Sequence, residues 1–315
     1  MKVDDFLGKA PNVTGSCDIQ GDDFEHVTSM TPSGIELLYS WAPKRLYRLR
    51  NLCDWQGEPE WTDVPSVTTV LGVLDKSGAL TWWGQSIGVE GTLELARRGI
   101  IVYGDGYWTD SYNGVVDKDD VVKFLTQNKL TVNHVKDKAA DRGTSVHNVF
   151  ETWCGDTSFR PAPDVYPENE RGYVTGLLKF LNDLGDVEDV EAEIMVGSLV
   201  HGFAGRFDAR LTIPSAREMV VKCYPKRKPK VEEVPAGRWL LDVKTSKAVY
   251  DTHALQLAAY ELASVECGYG PTDYRAVIHL TADGQYELVQ TKATGEDFLS
   301  ILQAAKTMSG SKGWL

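Results

Sequence analysis

The spacing of apolar residues changes partway along the chain. From Pro65 to Leu184 they recur every three to four positions, the period of helices with one buried face. "PSVTTVLGVLDKSGALTWWGQSIGVEGTLELARRG", residues 65–99, predicts mostly helix with Ser66 as a cap. Further helices are predicted over 118–127, over 132–153 with Val135, Ala139, Val146, Val149 and Trp153 as its apolar positions, and over roughly 169–184. "DGYWTDSYNG", residues 105–114, reads as a loop.

Beyond that the period falls to two. "VEDVEAEIMV", "GFAGRFDARLTI", "REMVVKCY" and "RWLLDVKTS" alternate as strands, separated by turns containing Gly and Pro. "DTHALQLAAYELASVEC" returns to helix with Asp251 at its cap, "YRAVIHL" and "YELVQT" predict a strand pair, and 295–309 predicts a closing helix. Near the start, "GIELLYSW" and "RLYRLRNL" alternate among Gly and Pro. The chain therefore divides into a β-rich extension over 1–62, a helical lead-in over 63–130 and a main α/β or α+β body over 131–315.

Composition narrows the functional classes. With 315 residues and 42% hydrophobic content, the chain can bury a sizeable core. No apolar run approaches the roughly 20 residues of a membrane span, and "MKVDDFLGKA" lacks the basic start and apolar stretch of a signal peptide. Five scattered cysteines without a CxxC pair point to a reducing compartment and away from a disulfide framework, a zinc site or an iron–sulfur cluster. The expectation is a cytoplasmic protein without a membrane partner. A net charge of −12 repels phosphate at long range, so nucleic-acid binding would need a local basic surface or metal ions. One such surface is "KCYPKRKPK", residues 222–230, with five basic residues on a predicted hairpin near 218–238; a solvated hairpin tip is the alternative reading.

Candidate chemistry lies on the strands and the helices beside them. In "LLDVKTSK" a hydrophobic strand ends with Asp242 and Lys244 on one face. An acid two residues before a lysine can be a plain ion pair. It occurs nowhere else among 45 acidic residues, and it sits where unpaired charge is costly. The preceding apolar strand carries Asp208 in Gly205-x-x-Asp208, although Gly-x-x-Asp also recurs at Gly72–Asp75 and Gly114–Asp117. Two carboxylates on adjacent strands cannot both stay ionised without a cation, which a divalent metal would supply. His147 follows Gly143 by one helical turn, and Gln256 and Tyr260 share a helical face.

"RGTSVH", "GRFD", "LDVKTSK" and "QLAAY", in that order over about 143–260, resemble the motifs of the RecB-like branch of the PD-(D/E)XK nuclease superfamily. That branch includes CRISPR-associated exonucleases and many phage-encoded ones. The resemblance implies an α/β fold with a central mixed sheet flanked by helices, a restriction-endonuclease-like core, and metal-dependent hydrolysis of DNA. By the same resemblance His147, Asp208, Asp242 and the carbonyl of Val243 hold Mg²⁺ or Mn²⁺, and the imidazole favours Mn²⁺. Lys244 orients the attacking water and stabilises the transition state, and Glu193 binds a second metal or water. Gln256 and Tyr260 position the DNA backbone or Lys244, while Lys226, Arg227, Lys228 and Lys230 contact phosphates.

Two features depart from that pattern. Asp208 and Asp242 are 34 residues apart, a span that contains the basic run. Only Cys267 lies beyond the Asp-x-Lys strand, so no iron–sulfur cluster is expected. An exonuclease of recombination, repair or replication is the leading expectation, with DNA and a replication or recombination protein as expected partners, in the host cytoplasm if phage-encoded. An endonuclease of the same fold and a non-catalytic DNA-binding module are the alternatives. Gly84-Gln85-Ser86-Ile87-Gly88 matches a nucleophile elbow, but it lies inside a predicted helix rather than between strand and helix.

Overall fold

The computed structural model describes residues 26–40, 46–52, 60–74, 77–112, 114–224 and 227–309. The N-terminal alternation forms an antiparallel meander of β1 (His26–Met30), β2 (Ile35–Ser40), β3 (Leu46–Asn51) and β4 (Thr62–Val64). The predicted 65–99 helix is interrupted. A short α1 (Val67–Leu71), capped by the Ser66 hydroxyl, ends at Gly72, and α2 covers Ser77–Arg97. Residues 105–114 depart from the loop expectation. Strands β5 (Ile101–Gly104) and β6 (Tyr107–Asp110) form a hairpin, with Asp105 and Gly106 at φ 52° and 90° in its turn. Asp-Gly supplies the two positive φ values that a two-residue hairpin turn requires.

Next come α3 (Lys118–Gln127), closed by an Asp117 capping box, α4 (Val132–Gly155) and α5 (Glu168–Leu184). The main sheet is built from β7 (Glu188–Ser198), β8 (Phe203–Ile213), β11 (Gly237–Lys244), β12 (Tyr274–Leu280) and β13 (Tyr286–Gln290). Its order is β13-β12-β11-β8-β7. β11 and β12 run parallel and every other pair is antiparallel, so the sheet is mixed. The parallel pair needs a crossover, which α6 (Asp251–Glu266) provides; Tyr250, not Asp251, occupies its N-cap, and Asp251 lies in the first turn. The remaining pair, β9 (Arg217–Lys222) and β10 (Lys230–Val234), is the expected basic hairpin, and α7 (Gly295–Ser309) closes the fold.

Helices cover both faces of this sheet, making the fold α/β. One face packs on α4 and α5 through Phe150, Trp153, Phe180 and Trp239, and the other on α6 and α7 through Leu257 and Phe298. The β-rich N-terminal piece does not stand apart. Leu37 and Leu49 are fully buried in the same core as Phe203 and Phe207. A Cβ at Gly197 on β7 would lie 2.7 Å from the Leu49 side chain, so a glycine there permits the close approach. Burying each leucine contributes roughly 1.5–3 kcal/mol, enough to fix β2 and β3 onto the body.

Candidate active site

The register of the main sheet lines up the acids. β8 and β11 pair through Ala209↔Leu241 and Arg210↔Leu240, and continuing one step sets Asp208 against Asp242 on one face. On the other side of β8, Glu193 falls between the pairs Ala192↔Ala209 and Ile194↔Phe207, again opposite Asp208. Glu193 holds a left-handed φ of 53°, a conformation that costs a side-chain-bearing residue on the order of 1–3 kcal/mol. α4 buries Val146, Val149, Phe150 and Trp153, and His147, beside that stripe, turns toward β8. One ligand atom each from His147, Glu193 and Asp208 lies within 4.8 Å of the other two.

Asp208 accepts a 2.6 Å hydrogen bond from the Val243 amide and lies 3.3 Å from His147 Nδ1. Burial opposes ionisation of Asp208, but the imidazole, Lys244 and the Val243 N–H outweigh it and hold the carboxyl below its ordinary range. For His147, burial disfavours the cation, and the Asp208 carboxylate more than compensates, raising its pKa. Asp242 is fully buried, with Lys244 Nζ 2.5 Å from Oδ2 as an ion pair. No donor other than Lys244 reaches either oxygen among the described residues. Burial pushes Asp242 up to about 6 despite Lys244. Burial likewise lowers the tendency of Lys244 to stay charged, yet Asp242 and Asp208 carry its pKa above the ordinary value.

Glu193 is pushed up to about 7, chiefly by burial, against the pull of Arg206 at 2.7 Å. Asp208 and Glu151, one turn beyond His147 on α4, add to that rise. An imidazole with clustered carboxylates is a donor set suited to Mn²⁺ or Mg²⁺. Asp242 faces Lys244 through Oδ2, and its Oδ1 has no partner among the described residues. Asp242 stands outside the closest three-residue set, which instead includes Glu193.

The sequence-predicted residues fall into three groups. His147, Glu193 and Asp208 come together, the Asp242–Lys244 pair lies beside them, and Val243 meets Asp208 through its amide rather than the carbonyl named as a ligand. Gln256 and Tyr260 adjoin them: Gln256 Nε2 donates to the Tyr260 hydroxyl at 2.9 Å, and the Tyr260 ring packs on Gly205, where a Cβ would come within 2.5 Å. Tyr260 is buried, which suits holding β8 in place better than touching a nucleic-acid backbone. The basic run forms the third group, at the hairpin tip. Arg227 and Lys228 are exposed there, Lys230 is paired with Glu232, and Lys226 lies outside the described residues.

Sequence reasoning did not single out Arg206, Glu151 or Arg142. Arg206 stands two residues before Asp208 on the same strand, so only its pairing with Glu193 reveals it. Arg142 donates to the Thr245 carbonyl at 3.3 Å and lies over the Tyr173 ring, and its buried Nε has no partner among the described residues. Its place as the first residue of the "RGTSVH" motif was the available signal. No protein-family model matches this chain, and no curated protein matches it either.

Proposed function

We propose that the protein is a divalent-metal-dependent deoxyribonuclease with a restriction-endonuclease-like core of the RecB type, acting as an exonuclease. The observation that carries this reading is the convergence of His147, Glu193 and Asp208 beside the fully buried Asp242 and its partly exposed partner Lys244. His147, Asp208, Asp242 and Glu193 would hold Mn²⁺ or Mg²⁺. Such an ion lowers the pKa of a bound water and offsets charge on the scissile phosphate.

The protein's own groups supply the rest. Val243 fixes the Asp208 carboxylate through its amide, so the acid reaches the site in one orientation. Lys244, held in place by Asp242, orients the attacking water and stabilises charge developing on the phosphate oxygens. Arg206 balances Glu193 at the substrate-facing rim. The exposed Arg227 and Lys228 on the β9–β10 tip would meet phosphates independently of sequence.

The test pairs a linear end-labelled duplex with a covalently closed single-stranded circle, in Mn²⁺, Mg²⁺ or EDTA. Metal-dependent loss of the linear DNA alone, abolished by Lys244→Ala, is the expected result. Nicking of the circle would assign an endonuclease. Tight DNA binding without cleavage would favour a non-catalytic binding module.

A further inference from the structure

A cavity of about 460 Å³ opens between the N-terminal meander, the turn into α1 and the start of β8. Its volume lies in the range of small-molecule sites, ~300–1,000 Å³. Two of its wall residues lead along β8 toward the acid cluster, whose own side chains lie outside its lining. Gly205 and Arg206 form part of its wall, and they precede Asp208 by three and two residues, about 10 and 7 Å along a strand. Arg206 is half exposed at this wall while its guanidinium holds Glu193. The turn is seated firmly on β8, since the Ala204 amide donates to the Pro65 carbonyl at 3.1 Å and Ser66 bridges to Ala204.

The walls carry aromatic, hydroxyl and cationic groups, together with the Asp63 carboxylate, which is neutralised by Arg48 at 2.7 Å. Tyr39 and Tyr47, opposed across β2 and β3 with ring centroids 4.7 Å apart, form an aromatic side. Thr68 and Thr69 are exposed and bring hydroxyls to another side. Arg206 contributes a planar cation between this space and the acids. An aromatic face stacks on a base of any identity, hydroxyls donate to or accept from base edges and sugar, and a guanidinium matches a phosphate. A recessed cavity admits a nucleotide only when it has left the base stack.

Resting on the nuclease reading, we propose that this cavity holds the unpaired nucleoside adjoining the scissile phosphate, with Tyr39 stacking on the base and Arg206 turned to the backbone. The N-terminal meander is then part of the substrate site, and the enzyme prefers single-stranded or frayed ends over blunt duplex.

The experiment measures binding of labelled oligothymidylate and of a blunt duplex by fluorescence anisotropy in Ca²⁺, for wild type, Tyr39→Ala and Thr68→Trp. Thr68→Trp fills the cavity from an exposed position, so it tests the site even if Tyr39→Ala weakens the meander; thermal melting verifies both folds. Affinity for the oligonucleotide should fall roughly tenfold in each, the loss of about one stacked base, with duplex affinity within twofold of wild type. Unchanged oligonucleotide affinity in folded Thr68→Trp, or equal losses on both substrates, would overturn the cavity assignment. Cleavage of linear DNA by wild type in Mn²⁺ is scored separately. Cleavage with unaffected variants removes the cavity proposal alone, whereas absent cleavage with selective binding loss removes the nuclease reading and leaves a single-strand binding site.

Discussion

At the scale of single residues, Glu193 shows how chemistry competes with stability. Its left-handed backbone and buried carboxyl are both unfavourable, and neither improves the packing of β7. Glycine at this position would adopt the same φ without strain and would remove the buried acid. Glu193→Gly is therefore expected to raise unfolding free energy by about 1 kcal/mol in urea titration while lowering metal-dependent cleavage at least tenfold. A loss of stability would show that the Arg206 pairing outweighs the strain. Gly205 presents the opposite case. A methyl group there meets the Tyr260 ring, so Gly205→Ala should cost about 1–3 kcal/mol in the same titration by forcing that ring off Gln256. Asp208, Asp242, Lys244 and His147 could be read from residue type and order. The φ of Glu193 and the reach of Arg206 could not, because sequence encodes neither a backbone irregularity nor a cross-strand partner.

At the scale of elements, periodicity carried furthest where one face is buried. The strands β7, β8, β11, β12 and β13 and the helices α4 to α6 were readable because their buried positions favour apolar residues. The β5–β6 hairpin was not: Tyr103, Tyr107 and Trp108 are exposed, so burial imposes no alternation there. The β9–β10 hairpin was recognised from charge, but its position depends on tertiary contacts. The Cys223 amide donates to Glu287, Lys222 pairs with the same carboxylate, and His279, paired with Glu287, also meets the Ser246 carbonyl just beyond Lys244. This chain of contacts brings the base of the basic tip to the end of the sheet where Lys244 lies. Reversing Arg227 and Lys228 to Glu should weaken binding to all DNA sequences alike and flatten the salt dependence by at least about 1.8 in log–log slope, the share of two phosphate contacts. Anisotropy titrations across salt concentrations would measure it, and an unchanged slope would mark the tip as solvated surface only.

At the scale of the whole molecule, an acidic chain concentrates buried negative charge where three strands and α4 meet, and pH should expose the cost. Asp242 at about 6 and Glu193 at about 7 both lie above their unfolded values near 4, and the pKa of His147 is also raised. The folded state therefore holds protons that the unfolded chain has already released, and stability from these groups is lost as pH climbs through their folded pKa values. Asp208 acts the other way, but its lowered pKa confines that effect to pH below about 4. Between pH 5 and 8 the metal-free protein should lose on the order of 4 kcal/mol. A divalent cation takes the place of those protons, so its binding strengthens as they leave. Melting with and without Mn²⁺ should give a clearly larger stabilising shift at pH 8 than at pH 5.5, and Asp208→Asn should abolish most of it. Equal shifts at both pH values would mean that the ion binds away from these carboxylates, and the cluster of His147, Glu193 and Asp208 would then be a buried ion-pair network without a metal.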